Sequence, residues 1–290
     1  MSIGLDSRCM ECSLVRNLAF VRPLGDEAKT TAFAKALMRI MLDAPEGASY
    51  PGISPQVNDL LRDMYGIPEN RYQQEKIQSN RFVMERLDQI RRKVEFAEDP
   101  VYAGLQFAIL GNYLDFSALL DNVSFQQMED MLAKGLEMEL ERDVYDSLRR
   151  DLEQGKKLLY LTDNAGEIGF DRVLGEQIAE KYPQLEITFC VRGQETLNDA
   201  LRADAEEMGV PFPVIDNGNR IPGTQIDQLS PEAKQALEEA DVIIAKGLGN
   251  IETMLGCGYN VYYAFLVKCA RFEEMFRKPM FTPVLAKERK

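Results

Sequence analysis

Histidine is absent from all 290 residues, and so is tryptophan. The first absence removes Ser-His-Asp and Cys-His catalysis, together with histidine-ligated zinc. No apolar run reaches the ~20 residues that a membrane-spanning helix needs. The amino terminus also lacks the basic-then-apolar profile of a signal peptide, so a soluble, cytoplasmic protein with no membrane partner is expected. Positive charge is scarce: 34 lysines and arginines face 47 acids, for a formal charge of -13. Phosphate backbones are held by basic surface, so nucleic acid is not an expected partner. Glycine-rich nucleotide loops are missing too. No GxGxxG follows any expected strand, since Gly247-Leu248-Gly249 lacks the third glycine, and there is no Walker loop. Cysteine is sparse, with five in the chain. Cys9 and Cys12 form a CxxC pair, but Cys190, Cys257 and Cys269 are single and widely spaced, which leaves a zinc site short of ligands.

What remains is a chain long enough for two domains, with 45% apolar residues to build a core. Up to Gly155 the patterns are helical. Asp26 to Asp43 carries Phe33, Ala36, Leu37, Ile40 and Met41 on one face. Ser54-Pro55 reads as a cap with proline at the first helical position, and Gly66 as the stop. A long helix is expected from Asn70 to Ala97, carried by Ile77, Phe82, Val83, Leu87, Ile90 and Val94, and another from Pro100 to Leu110. Ser124-Phe125-Gln126-Gln127 matches a capping box and opens a helix to about Glu153, bent near Gly135.

After Gly155 the rhythm becomes strand, loop, helix. Strands are expected at 157–161, 185–191, 213–215, 242–245 and 261–267, with helices over 167–181, 197–208 and 231–240. Such alternation predicts a mainly parallel sheet in three layers with right-handed crossovers. The expected division is an all-helical domain over 1–154 and an α/β/α domain over 155–290.

Each expected strand ends in polar or glycine-rich residues. The first ends in Asp163-Asn164, ahead of Gly166-Glu167; the second in Arg192-Gly193, then Asn198-Asp199. The third is followed by Asp216-Asn217-Gly218, the fourth by Lys246-Gly247-Leu248-Gly249-Asn250, and the fifth by Lys268. In a parallel sheet these ends share one edge, so oxygen ligands and cations would meet there as in a metal-phosphate site. For any one loop the plain alternative is a turn or cap role. Ala165 stands two residues after Asp163, where aspartyl-nucleophile phosphatases carry a second acid, which favours an activated water over a phospho-aspartate.

The run Asp163-Asn164-Ala165-Gly166-Glu167, then Leu197-Asn198-Asp199, Asp216-Asn217-Gly218 with Pro222-Gly223-Thr224, and Lys246 to Glu252 resembles the damage-control phosphatases, a family first catalogued as a domain of unknown function. Gly111 to Phe116 and Cys9-Met10-Glu11-Cys12 resemble features of its short, stand-alone microbial members. The resemblance implies a helical domain over a Rossmann-like α/β/α domain, and a metal-dependent phosphatase of small phosphorylated or glycated metabolites. It implies Asp163, Asn164 and Asp199 as ligands of magnesium, manganese, cobalt or nickel, and Lys268 as a phosphate contact. It marks Glu167, Lys246 and Asn250 as further site residues.

Arg192 is expected to help neutralise the phosphate, and Glu167 to accept or orient the attacking water's proton, with a first-turn helix acid as the plain alternative. Asn112 and Asp115 are expected either to close the pocket from the helical side or to serve capping and packing. Two other readings stay open. One is an S-adenosylmethionine-dependent carboxyl methyltransferase, poorly matched by Asn164-Ala165-Gly166 and by Arg192 in place of a strand-two acid; the other is a non-catalytic metabolite-binding protein.

Overall fold

A computed structural model of the chain describes residues 3–115 and 124–288; Phe116 lies outside them. Three amino-terminal helices are each opened by a side-chain cap. Asp6 caps α1 (Ser7–Val21), Asp26 caps α2 (Glu27–Leu42) and Ser49 caps α3 (Tyr50–Tyr65). Gly66 ends α3 at φ +67°, as the sequence predicts. Ser54-Pro55 does not open that helix, however, but lies within it. Ser49 followed by Pro51 offers the same cap-and-proline signal one turn earlier. Val21, Phe33, Leu37, Met41, Ile53, Val57 and Leu61 form a core private to these three helices.

The single helix expected from Asn70 to Ala97 is two, α4 (Gln73–Met84) and α5 (Leu87–Glu95). The Arg86 side chain causes the break. Its Nη1 takes the Phe82 carbonyl at 2.8 Å, so the Arg86 amide turns to Val83 O at 2.9 Å and the helical ladder slips. Ile77, expected inside, is 48% exposed.

Helix α6 (Pro100–Gly111) is buried on every side from Val101 onward, which matches its nearly unbroken apolar sequence. The helix expected from Ser124 to Glu153 also divides, into α7 (Phe125–Ala133) and α8 (Arg142–Gln154), with a 3₁₀ turn at Gly135–Glu137 between them. Gly135 lies so close to Phe107 that a Cβ there would sit 2.6 Å from the ring, and Gln106 holds the carbonyls of Leu136 and Met138. Anchoring to α6 therefore outweighs helix continuity.

The sheet contains β1 (Lys157–Leu161), β2 (Glu186–Val191), β3 (Val214–Asp216), β4 (Val242–Lys246), β5 (Val261–Leu266) and β6 (Pro283–Lys287). Their order is β3-β2-β1-β4-β5-β6, parallel except for β6, an unforeseen antiparallel edge strand that opens on a proline. Alternate residues face two cores. Leu158, Tyr160, Phe189 and Ile244 join α4 to α8 and α9 (Glu167–Lys181), and Leu159, Leu161, Ile243 and Phe265 join the helices of the other face. Those helices are α11 (Pro231–Glu239), α12 (Gly247–Met254) and α13 (Ala270–Phe276), while α10 (Arg202–Glu207) lies ahead of β3. The result is the three-layer, Rossmann-like α/β fold, with the strand order reversing between β1 and β4. Among the described residues no helix is long and apolar enough to cross a membrane.

Candidate active site at the β1–β4 switch point

Ligands of open α/β sheets bind outside the carboxyl ends of the strands, where the order reverses. Asp163 and Asn164 leave β1 at this point, and Gly247 leaves β4 beside them. Gly247 has φ +75°, and a Cβ there would lie 2.0 Å from Asp163 Oδ2. Only glycine allows this approach of α12 to the carboxylate.

The expected helix from Leu197 to Met208 begins only at Arg202, because the preceding residues fold back over β1. Ala165 N donates to Asn198 O at 2.9 Å and Ala200 N to Asp163 O at 2.8 Å, a short antiparallel bridge between Asn164 and Asp199. Leu197 adopts φ +47° to make the turn. Strain of this kind concentrates where side-chain placement matters. The bridge brings Asp163, Asn164 and Asp199 to one place despite their separation in sequence.

All three are buried and tied together. Asp163 Oδ2 accepts from Asn112 Nδ2 and Asn164 Nδ2, both at 2.8 Å. Asp199 Oδ2 accepts from Arg192 Nε at 2.7 Å, and Arg192 Nη2 lies 3.9 Å from Asp163 Oδ1. Asn164 Oδ1 accepts from Asn198 Nδ2 at 2.9 Å, which leaves the amide oxygen a second lone pair. Burial pushes the Asp163 carboxyl well above its ordinary range, and Glu167 and Asp199 push it further. Burial likewise raises Asp199 to about 6, against the opposing pull of Arg192.

Glu167 is completely buried and all its acceptor capacity faces inward. Lys246 Nζ reaches its Oε1 at 2.6 Å, Asn164 Nδ2 its Oε2 at 2.7 Å, and Asn112 Nδ2 lies 3.1 Å from Oε2. Lys246 has three N–H bonds to give. They go to Glu167, to Asp171 Oδ1 at 2.8 Å and to Ala108 O at 2.7 Å, which leaves none for a phosphate. Burial opposes its charge, but Asp171 and Glu167 outweigh that and raise its pKa.

Asn250 also braces rather than opens toward a ligand. It donates to Thr162 O and Lys246 O and accepts from Thr224 Oγ1. Asn112 links the helical half to the site, its Oδ1 accepting Leu266 N at 3.1 Å. Lys268, at the end of β5, donates to Asp115 Oδ2 at 2.6 Å.

Sequence reasoning missed Asp171 and Tyr160, and named Asn198 only as a motif residue without a role. Tyr160 OH donates to Asp171 Oδ1 at 2.7 Å, and Asp171 is raised by burial to about 7. Its signal was an acid one turn after Glu167, set among the apolar positions of α9. The CxxC pair lies on α1, away from the β1–β4 motifs in the chain. Cys9 is half-buried, its Sγ 3.3 Å from Arg271 Nη1, while Cys12 is exposed.

Five buried carboxylates (Asp115, Asp163, Glu167, Asp171 and Asp199) share this region with three buried cations (Arg192, Lys246 and Lys268); with every acid ionised, five against three leaves two formal negative charges, and the raised pKa values of Asp163, Asp171 and Asp199 reflect that excess. That deficit fits a divalent cation. Among the described residues no cluster of three or more histidine, cysteine, aspartate or glutamate side chains is arranged to hold a metal, so a cation here would use the Asn164 amide oxygen beside two carboxylates.

A family model described as the damage-control phosphatase ARMT1-like domain matches residues 5–280. An uncharacterized protein of Methanocaldococcus jannaschii is 30% identical over 282 residues, 92% of this chain and 90% of that one. A damage-control phosphatase of Archaeoglobus fulgidus is 31% identical over 70% of this chain and 69% of its own. One of Pyrococcus horikoshii is 30% identical over 70% of each. The crystal structure of a DUF89 family protein from Pyrococcus horikoshii shares the fold over 100% of both chains, with a TM-score of 0.82 at 24% identity. A chain matched from its first helix to the turn before β6 belongs to the damage-control phosphatase ARMT1-like family.

Proposed function

We propose that the protein is a divalent-metal-dependent phosphatase of small phosphorylated metabolites, with its catalytic centre at the β1–β4 switch point. The observation that carries this reading is the two-charge deficit among buried carboxylates beside Lys268 and Arg192. Asp163, Asn164 and Asp199 would hold the cation, with magnesium, manganese, cobalt and nickel as candidates. When bound, such an ion polarises a phosphoryl oxygen and lowers the pKa of water.

The protein's own groups do the rest. Lys246 and Asp171 fix Glu167, and Glu167 holds the amides of Asn112 and Asn164 so that both turn toward Asp163. Lys268 gives one N–H to Asp115 and, in this reading, offers another to the phosphate. Arg192 keeps Asp199 in place and presents Nη2 to the same space. Burial of Glu167, Asp171, Lys246 and Asn112 strengthens each of the interactions among them. Arg192, paired with an acid of the site, speaks against a methyltransferase, which would want a ribose-binding acid at the end of β2.

The test is hydrolysis of p-nitrophenyl phosphate across the four metals. Wild type should turn it over, chelator should stop it, and Asp163→Ala should be inactive while still folded. A fully active Asp163→Ala protein ends the proposal; absence of wild-type turnover on this ester and a panel of sugar phosphates favours a binding protein.

A further inference from the structure

The Cys9 and Cys12 pair takes no part in the proposed centre, but its surroundings suit it to thiol chemistry. The two residues stand three apart on α1, so one face of the helix carries both. Helical geometry then puts their Cα atoms about 5 Å from each other, inside the roughly 4.4–6.8 Å that a disulfide spans. Helix Cβ atoms at this spacing are about 5–6 Å apart where a disulfide wants about 3.8 Å, so the bond would close under strain and open readily to a reductant. Both thiols are free, and they differ in access: Cys12 is exposed and Cys9 half-buried.

Cys9 is held from two sides. Its amide donates to Asp6 Oδ1 at 3.0 Å, and its sulfur accepts from Arg271 Nη1 at 3.3 Å. Burial raises the thiol's pKa, while the contacts with Asp6 and Arg271 pull against that rise. Arg271 Nε is buried without a hydrogen-bond partner, 3.5 Å from Asp6 Oδ2, so the guanidinium keeps a donor in reserve near the sulfur. A thiolate formed at Cys9 would meet a fixed positive charge.

Arg271 also links this sulfur to the candidate site. It lies in the first turn of α13, whose cap residue, Cys269, directly follows Lys268. The same guanidinium donates to Gly4 O at 2.7 Å, and Arg8 of α1 pairs with Glu274 of α13. The start of α1 and the start of α13 are therefore fastened together, next to the lysine that holds Asp115.

We propose that Cys9 and Cys12 are a redox modification site: peroxide joins them in a disulfide, which draws the Cys9 sulfur off Arg271, lets the start of α13 shift and weakens the hold of Lys268 on phosphate. The effect on Lys268 rests on the phosphatase reading; the disulfide does not. The exposed Cys12 thiolate attacks one peroxide oxygen, the O–O bond breaks and hydroxide leaves, giving a sulfenic acid. The Cys9 thiolate, formed beside Arg271, then attacks that sulfur, and the S–O bond breaks to release the second oxygen as water. Two thiols lose two electrons and two protons, and the peroxide becomes two waters.

The experiment treats wild type with hydrogen peroxide, removes the peroxide by gel filtration, and follows peptide mapping and p-nitrophenyl phosphate hydrolysis with manganese, before and after a phosphine reductant. Mapping should find Cys9 joined to Cys12. KM should rise roughly tenfold, as for the loss of one charge-assisted hydrogen bond, with kcat little changed and full reversal on reduction. Cys12→Ser should keep the KM of the reduced protein and lose the response. Free thiols after treatment, irreversible oxidation of Cys12 alone, or a bond from Cys9 to Cys269 overturns the proposal, as does a Cys9–Cys12 disulfide that leaves KM unchanged. If wild type hydrolyses no phosphate ester in either state, the phosphatase reading fails by itself. Mapping then decides the disulfide, and hydrogen exchange of the α13 amides decides the coupling: faster exchange on oxidation supports it, and unchanged exchange overturns it.

Discussion

Replacing Lys246 by methionine separates two roles for this lysine. The substitution keeps most of the side-chain volume but removes the charge that Glu167 and Asp171 share at 2.6 and 2.8 Å in a fully buried setting. Removing one partner of a buried ion pair costs about 3–5 kcal/mol, because the other charge is left stranded. In a chain of this size each kcal/mol lowers the melting temperature by roughly 2–4 °C, so Lys246→Met should melt roughly 6–20 °C below wild type at pH 7. Acidification should recover part of the loss. Asp171, already raised to about 7, rises further once the lysine no longer stabilises its anion, and its neutral form needs no partner charge. Calorimetry at pH 5 and pH 7 reads both effects. A Lys246→Met protein that melts within 2 °C of wild type at pH 7, yet shows a raised KM for phosphate esters, would refute the structural role and return this lysine to the substrate.

Three further outcomes follow from the geometry. Gly247→Ala places a methyl group 2.0 Å from Asp163 Oδ2 and should cut turnover by about 100-fold, since a misplacement of ~1 Å can cost that much. Gly66→Ala, at a similar φ with nothing within 4 Å, should cost only about 1–2 kcal/mol of stability and leave turnover intact; equal activity losses in the two variants would sink the comparison. Asp163, Asp171 and Asp199 all have folded-state pKa values raised above their ordinary 3.8. Their contribution is therefore present at low pH and lost as pH rises through the folded values, so the metal-free protein should melt lower at pH 7.5 than at pH 5. Manganese should reverse that slope by pairing with the carboxylates, and a metal-free protein whose melting temperature climbs over this interval would contradict the raised values.

Sequence alone carried the parts of this protein that depend on neighbours in the chain. Each strand of the parallel set was readable as a short apolar run because both faces of the sheet are covered. Asp26 opens α2 and Gly66 ends α3 through local contacts. The acid and amide after β1 stood out because polar groups seldom interrupt a buried run without a use. Failures fell where a distant partner decided the conformation. Arg86 breaks a helix by taking a carbonyl and reaching Glu129, and Phe107 dictates the turn at Gly135.

The antiparallel sixth strand needed β5 beside it. The candidate site divided along the same line. Composition could say that carboxylates, amides and cations would gather at one sheet edge, since topology sends every parallel strand's end there. Only packing decided that Lys246 spends all three of its N–H bonds on Glu167, Asp171 and the Ala108 carbonyl, because a lysine goes to whichever buried acceptors lie within its reach, and these acids come from a helix 79 and 75 residues away in the chain.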